Sequence, residues 1–140
     1  MDRKLTLIAC VDERMGMMFN RRRQSKDRLM RERLLSRLAG KRLVLSPYSA
    51  RLFGAETTLA VFDDPYAAAV LGDAVFLEDT GALLDGVSEV ILYRWGEHYP
   101  ADTYFPFSLS DEGFYHAASE AFEGSSHERI TEDIYKRKEH

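Results

Sequence analysis

A continuous apolar run from Leu5 to Val11 constrains this chain more than any other feature of its sequence. A strand with one wet face alternates apolar and polar residues; one that is apolar throughout needs cover on both sides, as in the centre of a mainly parallel sheet flanked by helices. The run stops at Asp12 and Glu13, and Gly16 and Asn20 mark a loop. The spacing then predicts a helix over 25–39, capped by Ser25, stopped by Gly40 and carrying Met30, Leu34, Leu35 and Leu38 as its apolar stripe. Further strands are predicted over 41–45, 57–62, 74–77 and 89–95. Between them come helical turns over 49–53 and 65–71, with Asp63 or Asp64 as cap and Pro65 at the first helical position, and a poor one over 81–84. Two closing strands over 113–122 and 128–136 complete the pattern. The fold class expected is α/β, a central mainly parallel sheet with C-terminal antiparallel strands and flanking helices.

The 140 residues, 45% hydrophobic and 30% charged, suit one globular domain over 1–140. Because no run approaches the roughly 18 apolar residues of a membrane span and Met1, Asp2, Arg3 and Lys4 lead straight into strand sequence, a cytoplasmic protein without a membrane partner is expected. The single cysteine, Cys10, lies inside the apolar run and reads as a small buried hydrophobe; it offers no disulfide and no thiolate metal site. His98, His116, His127 and His140 are widely spaced, so no metal is expected.

Charge is unevenly distributed. Residues 20–51 carry eleven Lys or Arg against Asp27 and Glu32, a net of +9, while residues 52–140 carry five against eighteen acids, a net of −13. Such polarity makes either a basic patch for phosphate or nucleic acid, or two parts of one fold that attract each other.

Several strings resemble those of dihydrofolate reductases. The run Leu7 to Asp12 followed by Met15, Gly16 and Met17 is similar to that family's first strand and substrate-closing loop; Ala101, Asp102, Thr103, Tyr104, Phe105 and Pro106 resemble its Gly-Asp-Thr-x-Phe-Pro string; Ile134, Tyr135, Lys136 and Arg137 resemble its closing strand. The resemblance implies a dihydrofolate reductase-like fold over most of the chain. It also implies what this sequence lacks. Where the reductases place a Gly-Arg-x-Thr string for the dinucleotide's phosphates, this chain has Ser46, Pro47, Tyr48 and Ser49, and where they place paired glycines it has Glu78 and Asp79 after Leu77. NADPH binding in the usual mode is therefore not expected, and no other cofactor is implied. Chains with the Phe19, Asn20, Arg21, Arg22, Arg23 string are also similar to short proteins labelled ribonuclease Z, but the His-x-His-x-Asp-His cluster of that family is not in this sequence.

Asp27 falls on the apolar arc of the predicted helix, and resembles the acid with which the reductases hold the pterin ring. Its plainer reading is an acid favoured by the helix dipole and paired with Arg31. Asn20, Arg21, Arg22, Arg23, Ser25 and Arg28 at the helix start, with Tyr48 and Ser49, are the candidate residues for an anionic small molecule or phosphate in the ancestral cleft, with Asp27 as the catalytic candidate beneath them. Three other readings fit the same residues: a residual nucleotide- or pterin-dependent oxidoreductase, an RNA- or DNA-binding or nuclease-associated protein acting through 21–28, and a self-associating domain whose basic helix meets the acidic half of a second copy. Nucleic acid is disfavoured because only Phe19 and Tyr48 supply aromatic rings near the arginines. Ser125, Ser126, His127 and Glu128 read as a turn, since neighbours on a strand point to opposite faces and form no relay among themselves.

Overall fold

The computed structural model describes residues 3–38, 40–54, 59–79 and 84–138. Its strands are β1 (Leu5–Val11), β2 (Gly16–Phe19), β3 (Arg22–Arg23), β4 (Leu43–Leu45), β5 (Leu59–Val61), β6 (Ala74–Phe76), β7 (Val87–Arg94), β8 (Thr103–Tyr104), β9 (Phe114–Phe122) and β10 (Ile130–Arg137); its helices are α1 (Arg28–Arg37), α2 (Pro47–Phe53) and α3 (Pro65–Ala68). Seven strands form one sheet in the order β5-β4-β6-β1-β7-β10-β9. β1 lies between β6 and β7, parallel to both, and β10 runs antiparallel to both β7 and β9.

The double-sided burial read from Leu5–Val11 holds: Leu5, Leu7, Ala9 and Val11 pack into one core and Ile8 into another. On the first face lie Phe105 and Leu109 from the long connection after β7 and Phe114 from the start of β9; on the second lie Met30, Leu34 and Leu38 from the helical segment. Each of these three buried side chains contributes on the order of 2 kcal/mol. That face is what fixes α1 against the sheet.

Element edges differ from the sequence expectation where capping decides them. Asp27, not Ser25, is the N-cap of α1: its backbone is extended and its side chain accepts from Met30 N–H. α2 begins at Pro47 rather than Ser49, with Ser46 as cap, and α3, capped by Asp64, ends at Ala68 rather than 71. The turn expected over 81–84 has residues 81–83 outside the described residues, as do 57 and 58 of the strand expected over 57–62.

The expected loop around Gly16 to Asn20 is instead a hairpin. β2 pairs with β3 and with β8 in a second, three-stranded sheet. Phe19 pairs with Arg22, leaving Asn20 and Arg21 as a two-residue turn with φ of 51° and 62°. Two positive φ values make the tight primed turn that matches strand twist. Arginine is poorly suited to that conformation, and the sequence accordingly did not announce a hairpin.

Candidate functional site

Three knots of polar side chains meet between the hairpin, the start of α1 and the sheet. The first centres on Asp27, whose side chain is fully buried. One carboxylate oxygen accepts from Met30 N–H (3.0 Å), Ser125 N–H (3.0 Å) and Ser125 Oγ (3.2 Å); the other accepts from Ser126 N–H (2.7 Å) and faces His127 Nδ1 (3.0 Å). Burial opposes the charge on Asp27, but the hydrogen bonds from His127 and from the N–H groups of Ser126, Ser125 and Met30 outweigh it and hold the carboxyl well below its ordinary range. The pairing with Arg31 anticipated from the spacing is replaced by His127; Arg31 reaches Asp27 only through the backbone helical bond. The loop carrying Ser125 to His127 comes this close because Gly124 has no side chain: a Cβ there would overlap the Asp27 carboxylate.

His127 continues the chain of contacts. Its Nε2 lies 2.7 Å from Ser25 Oγ, and its ring stacks on Trp95 with centroids 4.6 Å apart. Ser25 therefore serves His127 instead of capping the helix. The reading of residues 125–128 as unable to form a relay among themselves stands, but His127 finds partners a hundred residues away.

The second knot joins Arg23, Tyr48, Ser49 and Glu78. Arg23 grips Glu78 with two hydrogen bonds (2.9 and 3.0 Å), lies over the Tyr48 ring at 4.4 Å, and Ser49 Oγ donates to the same carboxylate at 2.6 Å. The Glu78 charge, expected to face a phosphate, thus faces Arg23. The adjoining cleft at the C-terminal ends of β4, β5 and β6, about 300 Å³, is still acidic, lined by Asp63, Asp64, Glu78 and Asp79. A neighbouring cavity against α1, bounded by Cys10, Met17, Arg23, Ser25, Met30 and Trp95, measures about 10 Å³, room for roughly one water. Burial pushes the Cys10 thiol at its wall well up, so it stays protonated and inert.

The third knot is Asp12, buried at the end of β1. It accepts from the N–H groups of Arg14, Gly16 and Tyr99 and from Gln24 Nε2, and so fixes the hairpin against the 99–100 segment. Between them opens a hollow of about 450 Å³ lined by Phe19, Asn20, Arg22, Arg23, Gln24, Tyr99 and Pro100. The candidate anion residues are thereby divided: Asn20, Arg21 and Arg22 on the hairpin, Arg23, Tyr48 and Ser49 in the Glu78 knot, Ser25 on His127, and Arg28 on the outer side of α1 with Glu32.

A scan against protein-family models and a search of curated proteins return no match. Among solved structures, a dihydrofolate reductase from Enterococcus faecalis, complexed with NADP(H) and RAB-propyl, superposes over 99% of this chain and 98% of its own with a TM-score of 0.71, at 12% identity. The fold is that of dihydrofolate reductase. At that identity the likeness concerns the backbone alone. Within the dihydrofolate reductase fold, the sheet, the closing hairpin of β9 and β10 and the helix bearing Asp27 were all visible in the sequence. His127, Gly124 and the Asp12 knot were missed; the one available signal was the Gly-Ser-Ser-His string, whose small residues suit a loop docked tightly on another element.

Proposed function

We propose that this dihydrofolate reductase-like protein is not a nicotinamide-dependent reductase of the usual mode and that it binds a small anionic molecule at the hollow beside the β2–β3 hairpin. The observation that carries the reading is the fate of the arginines. Arg23, Arg28, Arg33, Arg37 and Arg42 each hold a carboxylate, whereas Arg21 and Arg22, like Arg31 and Arg51, make no ion pair among the described residues. Arg21 sits on a turn whose left-handed backbone costs it about 1 kcal/mol, and Arg22 follows it in β3; strain of this kind gathers at functional positions. Arg22 and Asn20 line the hollow, with the Phe19 and Tyr99 rings able to flank a planar ligand. The acidic cleft beside β6 repels a dinucleotide's phosphates.

Thermal-shift titration tests this with inorganic phosphate, pyrophosphate, sugar phosphates, NADPH and folate. A phosphorylated small molecule at 100 times its Kd adds about 2.7 kcal/mol of stability, and this gain disappears in Arg21→Ala/Arg22→Ala. Stabilisation by NADPH or folate, or an anion effect that survives the double substitution, overturns the proposal. Binding to single-stranded RNA that falls steeply with log salt would replace it with a nucleic-acid function.

A further inference from the structure

We infer that Ser25, His127 and Asp27 form a nucleophilic relay, giving this protein an acyl-ester hydrolase activity. The inference stands on geometry independent of the anion-binding hollow. Ser25 Oγ is 2.7 Å from His127 Nε2, and His127 Nδ1 is 3.0 Å from an Asp27 oxygen. This is the order that activates a serine: hydroxyl to one ring nitrogen, buried carboxylate to the other, so that the carboxylate fixes the tautomer with Nδ1 protonated and leaves Nε2 free to take the hydroxyl proton. Each member is held. Four further donors orient the Asp27 carboxylate, and Trp95 packs flat against the imidazole, leaving it little rotational freedom. Such over-determination is what a proton relay requires, because misorientation of the base by an ångström costs rate heavily.

Ser25 itself is only half-buried and lines the small cavity bounded by Met17, Met30 and Trp95. Asp27 touches no substrate and is a positioning residue; Ser25 and His127 are the catalytic pair.

The step balances without a cofactor. Ser25 Oγ attacks the ester carbonyl and gives its proton to His127 Nε2; the carbon–oxygen bond to the leaving alcohol breaks and the alcohol takes that proton. Water then attacks the acyl-serine, its proton passing to His127 Nε2; as the ester bond to Ser25 breaks, Oγ takes the proton back. The products are a carboxylic acid and an alcohol.

A fluorophosphonate probe tests the nucleophile directly, since its P–F bond breaks as Ser25 Oγ bonds to phosphorus and fluoride leaves. The expected result is a single adduct by intact mass, mapped by peptide sequencing to Ser25, with hydrolysis of p-nitrophenyl acetate above the buffer rate. Both are lost in Ser25→Ala and fall at least tenfold in His127→Gln. Should His127→Gln fail to fold, Ser25→Cys supplies the second reading: a thiol paired with His127 reacts with iodoacetamide at pH 6 at least tenfold faster than free cysteine. Absence of a Ser25 adduct, an adduct elsewhere, esterase activity that survives Ser25→Ala, or a thiol in Ser25→Cys that reacts no faster than free cysteine overturns the inference. Loss of anion binding in the hairpin variants leaves these readouts unchanged, so the two proposals fail separately.

Discussion

Arg33 and Arg37 on α1 and Arg21 and Arg22 on the hairpin belong to the same basic stretch of sequence but have opposite fates. The first two converge on Glu132, which is 1% exposed and also accepts from the Tyr93 hydroxyl. Burial alone would raise the Glu132 pKa; the hydrogen bonds from Arg37, Arg33 and Tyr93 overcome it and hold it low. Arg21 in the turn and Arg22 beside it make no ion pair among the described residues, and Asp102, the acid at this turn, is engaged by the Asn20 N–H instead. Part of the charge asymmetry of the chain is therefore architecture, Arg33 and Arg37 of the basic helix against Glu132 of the late strand, while the hairpin arginines are left for a ligand.

Removing the acid from the first group should have the largest effect. Glu132→Gln leaves two arginines over a neutral amide, and unfolding in urea is expected to show a loss of about 3 kcal/mol; a loss under 1 kcal/mol would mean these arginines are no more committed than those of the hairpin. Next comes the Asp27 carboxylate, held by backbone N–H groups, Ser125 and His127. Gly124→Ala forces the loop off Asp27 and should cost about 2 kcal/mol, by the same measurement.

Asp27 also sets an acid limit. Its folded pKa is depressed, so the stabilisation it provides is complete above the unfolded value of about 3.9 and is lost as pH falls towards the folded value. Glu132 and Asp133 are depressed as well and act in the same direction. Stability should therefore rise between about pH 2 and 5, with a shallower slope in Asp27→Asn measured from urea midpoints. A parallel slope in that variant would remove Asp27 from the account.

Smaller effects separate the intermediate case from the hairpin. Arg23→Ala strands Glu78 beside an already acidic cleft and should cost about 1.5 kcal/mol. Arg21→Gly relieves the left-handed turn at the price of a looser unfolded chain, for a net gain of about 0.5 kcal/mol. A loss instead would show that Arg21 has a structural partner.

How far the sequence discloses the molecule follows the range of the interactions. Leu5–Val11 announces a doubly covered strand because the cause is local and repeated in seven residues. The helix start was ambiguous because Ser25 and Asp27 are both good caps, and the choice is made by the loop carrying Ser125 and Ser126, which supplies donors to one of them. The hairpin stayed hidden because Asn20-Arg21 lacks the usual glycine. Asp27 was correctly placed on the inner side of the helix, but its partner His127 lies a hundred positions on, and no period in the sequence encodes that contact. Likewise the opposed charges of Arg23 and Glu78 were each noted, while their mutual cancellation required the sheet to bring the hairpin beside the end of β6.

Trp95 is the single tryptophan of the chain, and its indole rests on the imidazole that joins Asp27 to Ser25. Its emission is consequently an unlabelled optical reporter of one local event, the seating of the 123–127 loop on the start of α1. Stopped-flow fluorescence can time that seating during refolding, and any small molecule that displaces the imidazole announces itself in the same signal.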